Sequence, residues 1–341
     1  MTPLRRAITA PPTMQSVALA AGVSLKTVSR VVNDEPGVVP DTAQRVMVAI
    51  MALGYRRNDA ASSLARGQSQ AGIGLVIEDI TDPFYARLTR GVEEVARAHG
   101  HLVILASSEE NTERERSTTL TLASRGVAGM IVVPHSTDHR YLARQISAGL
   151  AVVFVDRPPA RLTADSVLTD NVSGARIGTQ HLIARGHRRI GFIGNDRGVY
   201  TSERRLQGFR EALTLAGLEA EERMIVLGPR TQAEASEAVS CLLSGSDAPT
   251  ALFTQNDLMT MGAWRAIRQS GRHVALVGFD DFALADVLDP PVTVVAQDAN
   301  QLGRSAAELL FSRLDGLTGP SESIIIPTRL IVRDQPATPA R

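Results

Sequence analysis

The stretch that most constrains this chain is residues 13–33, TMQSVALAAGVSLKTVSRVVN, whose residue types fit two short helices joined by a tight turn. Ala18 is small enough to let the second helix pack closely against the first. Gly22 can adopt the positive φ of a tight turn, and the hydroxyl of Ser24 can cap the second helix. With Val28 as a buried wedge between the helices, the pattern predicts a helix-turn-helix unit.

The second helix of this unit would carry outward-facing side chains at the helical period of 3.6 residues. These side chains are Leu25, Lys26, Ser29 and Arg30. In a helix-turn-helix unit the second helix enters the major groove of DNA and contacts base edges near its N-terminus. The stretch therefore predicts a double-stranded DNA partner that is recognised by sequence.

The charge distribution agrees with a nucleic-acid partner near the N-terminus. The whole chain has a formal net charge of zero, but basic residues outnumber acidic ones up to Gln68. The basic residues are Arg5, Arg6, Lys26, Arg30, Arg45, Arg56, Arg57 and Arg66, and the acidic ones are Asp34, Glu35, Asp41 and Asp59. Because phosphate contacts need such an excess, residues 13–57 are predicted to form a DNA-binding headpiece.

Length and cysteine content set the wider class. A chain of 341 residues is long enough for two or three domains. The single cysteine, Cys241, cannot form an internal disulfide, which favours a reducing compartment. The N-terminal residues contain no signal-peptide run, and no stretch reaches the roughly 20 apolar residues of a membrane span. We therefore expect a cytoplasmic protein without a membrane partner.

The segments that flank the headpiece differ from it in composition. Residues 1–12 and the tail 335–341 are expected to be disordered or loose. Residues 58–70 are small, polar and basic, and they form either a plain linker or a short helix that exists only on DNA, since an Ala/Ser-rich segment of this length holds no helix in water. In the second case Leu64 could wedge between base pairs in the minor groove.

From residue 71 to residue 334 nearly apolar strands alternate with amphipathic helices. This alternation predicts parallel sheets that are covered by helices on both faces. The series breaks near Thr169–Asn171, which indicates two similar α/β lobes. Lobe 1 is expected to comprise about residues 71–168 and 298–319, and lobe 2 about residues 169–297 and 320–334.

Ligands of parallel sheets bind at the carboxyl ends of the strands. Polar residues that directly follow predicted strands are therefore candidate ligand contacts: Asp79 and Asp82, Asp156 and Arg157, Asn195, Asn256 and Asp257, and Asp280 and Asp281. Any one of them could instead cap a helix or stabilise a turn. Their repetition at several strand ends favours a binding site between the lobes.

The sequence contains no motif of catalysis or of cofactor binding. GIGLVI lacks the third glycine of a dinucleotide fingerprint, and neither GxxxxGK[ST] nor GxSxG occurs. The histidines do not show the HExxH spacing of a zinc site. We therefore expect no enzymatic activity, no cofactor and no metal.

An ordered set of motifs makes the chain resemble the lactose-repressor (LacI/GalR) family of bacterial regulators over about residues 13–332. The motifs are the headpiece VALAAGVSLKTVSRVVN, the segment AASSLARG, IGLVIEDITDPFYARLTRGVEE, VDRPP, TDNVSGARIGTQHLIARGHRRIGFIG, RRLQGFREAL, PTALFTQNDLMTMGAW and LVGFDD. The resemblance implies a hinge helix over residues 58–70 and a core shaped like periplasmic sugar-binding proteins. It also implies a homodimer that binds a near-palindromic operator, with a tetramer as the other possible assembly.

The same resemblance implies roles for individual residues. Leu25 and Lys26 match the main base-reading residues, and Leu64 matches the minor-groove leucine. The full set of implied DNA contacts is Ser24, Leu25, Lys26, Thr27, Ser29, Arg30, Asn33, Tyr55, Ala61 and Leu64. The predicted contacts of a small effector, which include Asp82 and Asp156 from the strand-end pattern, are Asp82, Phe84, Tyr85, Asp156, Thr201, Arg205, Arg230, Asn256 and Asp280.

Several residues depart from the family pattern. Val39 replaces the usual serine cap before the third helix, so the start of that helix is expected to be looser. Val199 and Arg230 stand where the purine repressor has an arginine and a phenylalanine, which argues against a purine effector. Gln297 is followed by Asp298 rather than by the usual proline, at a crossover between the lobes.

These observations predict a sequence-specific transcriptional regulator that represses carbohydrate-utilisation genes. A sugar or sugar derivative bound between the lobes is expected to control its affinity for the operator. Two alternatives are a solute-binding protein of a transport system, which explains the core but leaves residues 13–33 unused, and a regulator that answers to a nucleoside or purine.

Overall fold

The computed structural model describes residues 12–33, 35–55, 72–196 and 198–333. The chain forms two compact units, Met1–Gln70 and Ala71–Arg341. Most of the predicted disordered N-terminus, the segment 58–70 with Ala61 and Leu64, and the tail 335–341 lie outside the described residues.

The first unit contains three helices, α1 (Met14–Ala21), α2 (Leu25–Val32) and α3 (Pro40–Leu53). The hydroxyl of Ser24 accepts a hydrogen bond from the backbone N–H of Thr27 at 3.1 Å, and Gly22 has a φ of 65°. Val28 is fully buried between the helices together with Val17 and Val46. The predicted helix-turn-helix is confirmed, because the cap, the turn and the wedge form from local residue types.

The start of α3 has no side-chain cap. Val39 occupies the N-cap position, where it accepts no hydrogen bond through its side chain, and Pro40 begins the helix. The missing N–H of proline costs nothing in the first turn, but the other free N–H groups of that turn have no side-chain acceptor on Val39.

The second unit contains two six-stranded sheets, each of which forms the centre of one lobe. The strands of lobe 1 are β1 (Ile73–Ile77), β2 (Val103–Ser107), β3 (Gly129–Val132), β4 (Ala151–Val155), β5 (Asp165–Thr169) and β11 (Ser323–Ile326). They lie in the order β11-β5-β4-β3-β1-β2, and all are parallel. The helices of lobe 1 are α4 (Pro83–Ala98), α5 (Thr112–Ser124), α6 (Ala143–Ser147) and α11 (Ala299–Leu314).

Lobe 2 repeats this plan with one antiparallel edge strand. Its strands are β6 (Ile190–Gly194), β7 (Ile225–Leu227), β8 (Ala251–Thr254), β9 (Ala275–Phe279), β10 (Thr293–Ala296) and β12 (Arg329–Ile331). They lie in the order β12-β10-β9-β8-β6-β7, and β12 runs antiparallel to β10. The helices are α7 (Asn171–Ala184), α8 (Tyr200–Leu215), α9 (Gln232–Ser244) and α10 (Asp257–Ser270).

The central strands are buried along their whole length, as apolar strands covered on both faces require. This confirms the predicted class of an α/β core with two parallel-sheet lobes behind a helical headpiece. Within the residues that the structure describes, no helix has the length and apolar composition that spanning a membrane requires.

The chain crosses between the lobes three times, and one crossing differs from the prediction. The strand β11 pairs with β5 in lobe 1, although residues 320–334 were predicted to lie in lobe 2. Only β12 joins lobe 2, so the third crossing falls at Pro327–Thr328. A proline cannot donate to a sheet ladder, and it divides what the sequence presents as one apolar run into two strands.

The strand β5 was not predicted because it begins with a charged residue. Asp165 is buried, and its carboxylate accepts hydrogen bonds from the guanidinium of Arg313 at 2.8 and 2.9 Å. It also accepts one from the backbone N–H of Glu322 at 2.8 Å. Arg313 and Glu322 are far away in sequence, so no local pattern shows that Asp165 can be buried.

The helices α4 and α11 cross at two glycines in lobe 1. A Cβ atom on Gly303 would lie 2.1 Å from the carbonyl oxygen of Leu88, and one on Gly91 would lie 2.1 Å from that of Asn300. Both contacts are with backbone, which cannot move aside as a flexible side chain can. The absence of side chains at these positions therefore sets how closely the two helices approach.

Gly303→Ala is expected to lower the free energy of unfolding of the core by about 1–3 kcal/mol, because the added methyl must push the two backbones apart. Denaturant unfolding of the purified protein measures this change. Gly245→Ala is the matched control, since Gly245 has a φ of −71° and a methyl group added there would have no atom within 4 Å. Equal stabilities for the two variants would contradict the close contact.

Candidate functional site

The first candidate site is the surface at the N-terminus of α2. Ser24, Leu25 and Lys26 are exposed there, and the apolar side chain of Leu25 is 52% exposed. Thr27, Ser29 and Arg30 are half-buried on the same helix. The exposed residues thus lie at the end of the helix that contacts base edges in helix-turn-helix units.

The two remaining described residues of the predicted DNA-binding set are placed differently. The amide of Asn33 donates to the hydroxyl of Ser29 at 3.3 Å, so it continues the surface of α2. Tyr55 is only 9% exposed and packs in the core of the first unit with Val17 and Val46. Its ring therefore stabilises the headpiece, because the left-handed turn at Gly54 directs the chain back onto α1 and α3.

The second candidate site is a cavity of 260 Å³ in the cleft between the two lobes. It lies at the carboxyl ends of strands from both sheets. All nine predicted effector residues line it: Asp82, Phe84, Tyr85, Asp156, Thr201, Arg205, Arg230, Asn256 and Asp280. Lining residues that were not predicted as effector contacts include Glu78, Gln255 and Gln297.

A buried ion pair forms the lobe 1 side of the cavity. Nη2 of Arg157 donates to Glu78 at 2.7 Å, and the hydroxyl of Tyr85 donates to the same carboxylate at 2.6 Å. Nδ1 of His135 lies 3.3 Å from it. Burial alone would raise the pKa of Glu78, but Arg157 and the hydrogen bonds lower it to about 2. This carboxylate is therefore fully ionised at neutral pH and already paired.

Arg205 organises the lobe 2 side. Its Nε donates to Oδ1 of Asn171 at 2.7 Å, and its Nη1 donates to the backbone carbonyl of Gln255 at 2.6 Å. Nη1 also lies 3.6 Å from Asp280, and the guanidinium stacks 3.7 Å from the centre of the Phe279 ring. Burial lowers the pKa of Arg205, while Asp280 acts in the opposite direction. These contacts hold the guanidinium in one orientation towards the cavity.

Asp156 and Asp280 occupy equivalent positions in the two lobes. Asp156 follows β4 with a φ of 70°, and Asp280 follows β9 with a φ of 73°. The backbone N–H of Asp156 donates to Val167 at 3.0 Å, and that of Asp280 donates to Val295 at 2.9 Å. Residues other than glycine rarely adopt this conformation, and those that do cluster at functional sites. Each lobe therefore turns one carboxylate towards the cleft at the same point of its sheet.

Gln297 connects the cavity to two of the crossovers. Its Nε2 donates to Asp280 at 2.5 Å, and its Oε1 accepts a hydrogen bond from the hydroxyl of Thr169 at 2.6 Å. Thr169 ends β5 at the first crossover, and Gln297 itself lies in the second. The departure from the family pattern thus concerns Asp298, whose carboxylate caps α11 through the N–H of Gln301 at 2.9 Å.

Arg230 lies at the mouth of the cleft. Its Nε donates to Asp196 at 2.8 Å, and its Nη1 lies 3.5 Å from Glu110. Glu110 belongs to lobe 1 and Arg230 to lobe 2, so this pair joins the lobes. Both side chains are about half exposed, and exposed pairs contribute at most about 1 kcal/mol. The contact is therefore a weak one that a small change in the angle between lobes can break.

Two cleft carboxylates have strongly raised pKa values. The pKa of Asp82 is raised to about 6, mainly by burial. The hydrogen bond from the N–H of Phe84 lowers this pKa, and the negative charge of Asp257 raises it further. Burial likewise raises the pKa of Asp280 to about 6 against the effect of Arg205. Asp82 also caps α4, since it accepts the N–H of Phe84 at 2.7 Å. Being a helix cap and lining the cavity are thus compatible roles.

Asp82→Asn is expected to stabilise the core at neutral pH. The pKa of Asp82 in the folded state, about 6, lies above its ordinary value of 3.8. The protonated group therefore stabilises the fold at acidic pH, and this contribution is lost as the pH rises through about 6. Asparagine keeps the helix cap without the charge, so the gain in unfolding temperature should grow with pH and level off above about 6.

Thermal unfolding at several pH values measures this gain. Asp298→Asn is the control, because it makes the same change at an exposed helix cap outside the cleft. A gain at Asp82 that does not depend on pH would contradict the assigned cause.

The residues missed in the cleft had only weak sequence signals. Glu78 directly follows β1 and Gln255 directly follows β8, so their positions at strand ends could have indicated them. Gln297 follows β10 in the same way. Their partners, Arg157, Arg205 and Asp280, are distant in sequence, and only the folded lobes bring these groups together.

Comparison with known proteins finds similarity in both parts of the chain. Residues 13–58 match the family model "Bacterial regulatory proteins, lacI family", and residues 179–334 match "Periplasmic binding protein-like domain". The HTH-type transcriptional regulator CelR of Thermobifida fusca is 35% identical over 334 residues, which cover 95% of this chain and 98% of that protein.

Two solved structures are similar over nearly the whole chain. The structure described as a transcriptional regulator CelR-cellobiose complex has a TM-score of 0.70 and 34% identity, covering 94% of this chain and 99% of that one. The lac repressor dimer bound to operator and the anti-inducer ONPF has a TM-score of 0.82 and 26% identity, covering 95% and 98%. The similarity therefore extends over the headpiece and the core together.

Proposed function

Since the chain belongs to the LacI family of bacterial regulatory proteins, we propose that it represses carbohydrate-utilisation genes and that a sugar bound between the core lobes controls its affinity for an operator. One observation carries this proposal. The matched headpiece is followed by a core in which all nine predicted effector residues line a single cleft. The relatives named above, a CelR–cellobiose complex and a lac repressor dimer on its operator, support the two kinds of ligand.

On the DNA side, we assign base reading to Leu25 and Lys26, which are exposed at the N-terminus of α2. Ser24, Thr27, Ser29, Arg30 and Asn33 continue this surface and are assigned to the groove and the phosphates. Two headpieces of a homodimer would then contact the two halves of a near-palindromic operator. Leu64 is assigned to the minor groove between the half-sites, as the family resemblance implies.

On the effector side, Asp156, Arg205 and Asp280 are assigned to the hydroxyl groups of a sugar. A carboxylate accepts hydrogen bonds from hydroxyl groups, and a guanidinium donates them. Asn256 and Thr201 add polar contacts from lobe 2, and Phe84, which lines the cavity, offers an apolar surface for a sugar ring. The network of Arg205 holds these groups in place before a ligand arrives, which reduces the entropy that is lost on binding.

The crossovers are the structural route from effector to DNA. A ligand that contacts Asp156 in lobe 1 and Asp280 in lobe 2 favours one angle between the lobes. Asp280 is hydrogen-bonded to Gln297, and Gln297 to Thr169, so the same contacts act on two crossover segments. A change in lobe angle would alter the spacing of the two hinge segments in a dimer, with a coupling free energy of about 1–3 kcal/mol.

The alternatives are less well supported. A solute-binding protein would not need the matched headpiece. A purine-responsive regulator is not favoured, because the similar ligand-bound structure is a CelR-cellobiose complex and because Val199 and Arg230 depart from the purine repressor. We further propose that the protein acts by binding rather than by catalysis. It would act in the cytoplasm, where its DNA target lies.

Selection from randomised DNA followed by a sugar screen tests the proposal. The purified protein should enrich a near-palindromic site, and a sugar that raises its unfolding temperature should change its affinity for that site, measured by fluorescence anisotropy. Failure to enrich any site would refute the DNA-binding role. A sugar that binds without changing operator affinity would refute the allosteric role.

A further inference from the structure

The cleft has an excess of negative charge. Seven carboxylate side chains line the cavity, against four arginines. Because ligands are enclosed by these groups in an environment of lower polarity than water, the balance of charge affects which ligands bind. An anionic ligand would therefore need an arginine whose guanidinium is not already paired.

Three of the four arginines of the cavity are already engaged by acidic or carbonyl groups. Arg157 is paired with Glu78. Arg205 is held by a backbone carbonyl, by Asn171 and by Asp280. Arg230 is bound to Asp196.

The fourth arginine, Arg87, is exposed on α4, and its positive charge acts on Asp82. The guanidinium groups of Arg157, Arg205 and Arg230 are thus already paired with acidic or carbonyl groups, and Arg87 adds its charge from the exposed surface of α4.

The carboxylates, in contrast, are incompletely satisfied. Asp156 is only 4% exposed, and within the described residues its carboxylate has one ion-pair partner within 4 Å, Nε of Arg157 at 3.5 Å, and accepts no hydrogen bond. Because Asp156 lines the cavity, its carboxylate lies beside the space that a ligand would occupy. A buried carboxylate without hydrogen bonds is costly, and a ligand that donates hydrogen bonds to it removes that cost.

A second set of carboxylates comes from both sides of the cleft. Asp82 lies on lobe 1, and Asp257 and Asp280 lie on lobe 2. All three carboxylates line the same cavity. In agreement with this arrangement, the negative charge of Asp257 raises the pKa of both Asp82 and Asp280. A positive charge placed between the lobes would turn the repulsion between these negative charges into attraction and would also favour the closed cleft.

We propose that the effector is a sugar without phosphate or carboxylate groups, and that an amino sugar binds more tightly than its neutral parent because its ammonium group lies between Asp82 and Asp257. This inference rests on the proposed function, since it assigns a ligand class to the same cleft. An anionic sugar would meet Asp82, Asp156 and Asp257 with no unengaged buried cation to offset them. The 260 Å³ cavity is below the roughly 300–1,000 Å³ usual for drug-sized ligands, so it suits a small sugar.

A charge-matched ligand series tests the inference on the full-length protein. The probes are glucose, glucosamine, glucose 6-phosphate and glucuronate, with the corresponding galactose and mannose compounds. They are added to a bacterial metabolite extract, dialysed against the protein at neutral pH, and the retained compounds are identified by mass spectrometry. Calorimetric titration then gives the affinities of the retained compounds and of their charge-matched counterparts.

Retained compounds should be neutral or amine-bearing sugars, and the amino sugar should bind at least about tenfold more tightly than its parent, which corresponds to about 1.4 kcal/mol. The double variant Asp82→Asn/Asp257→Asn should bind the amino sugar and its neutral parent with about equal affinity. Asp247→Asn is the matched control, because Asp247 is exposed and pairs with Arg223 outside the cavity; the preference should persist there.

Three other results of the ligand series would contradict a proposal. Retention of a phosphorylated or carboxylate sugar would overturn the inference and leave the proposed function intact. Equal affinity for an amino sugar and its parent, or a preference that survives in the double variant, would overturn the placement of the ammonium group. If no compound is retained at all, the proposed effector binding itself fails.

Discussion

An Arg205→Met variant is expected to lose the response of operator binding to effector. The guanidinium contacts Asn171, the carbonyl of Gln255 and Asp280, and it stacks on Phe279. Methionine fills much of the same volume but leaves these polar groups without their partner. Effector affinity should fall by about 2–5 kcal/mol, the usual cost of removing one member of a buried, hydrogen-bonded charged pair.

The same change should lower the free energy of unfolding of the core by about 3–5 kcal/mol, since buried Asp280 then loses its positively charged partner and keeps only the hydrogen bond from Gln297. Arg205→Lys separates the two effects, because lysine keeps the positive charge but cannot donate in the planar fork of a guanidinium. We expect this variant to recover stability in part and the effector response hardly at all. Anisotropy titrations of labelled operator with and without sugar, together with denaturant unfolding, measure both quantities.

Operator binding in the absence of effector provides the internal check. The headpiece is a separate compact unit, so Arg205→Met should still bind operator when the protein is folded. A variant that binds operator and responds normally to sugar would show that the effector contacts lie elsewhere.

Replacing Lys26 with alanine is the prediction with the next largest effect. Lys26 is exposed near the N-terminus of α2, where side chains reach base edges. Specific binding should weaken by about 1–3 kcal/mol, and the preference at one base position of each half-site should be relaxed. Selection from randomised DNA with the variant and with the original protein measures both effects.

Arg45→Ala is the matched control for the lost charge, since Arg45 is exposed on α3 of the same headpiece. Any loss of affinity in this variant should be similar for all DNA sequences, because contacts to phosphate carry no base preference. If Lys26→Ala retains the original base preference, then Lys26 does not read bases.

Local patterns predicted the headpiece and the positions of the cleft residues. The cap at Ser24, the turn at Gly22 and the wedge at Val28 depend on residues a few positions apart. Some cleft residues were predicted because parallel strands place their carboxyl ends on one edge of a sheet, and others, such as Phe84 and Arg205, only because the family resemblance implied them. Thus Asp156 and Asp280, which come from different lobes, could both be named from their place after an apolar run.

Features that depend on distant partners escaped prediction. The strand β5 can bury Asp165 because Arg313 neutralises it, and Pro327 places β11 in lobe 1 rather than lobe 2. The core position of Tyr55 follows from how α1 and α3 pack. Glu78 and Gln297 are cleft residues whose partners lie far along the chain.

The sequence by itself determined what kind of protein this is: a headpiece with an exposed reading helix, and an α/β core with polar groups at its strand ends. These properties follow from interactions within a few residues and from the repeat of strand and helix. Only the tertiary structure decided which charges of the cleft are already engaged. An ion pair such as Glu78–Arg157, or an unpaired carboxylate such as Asp156, depends on distances between segments that only the folded lobes bring together.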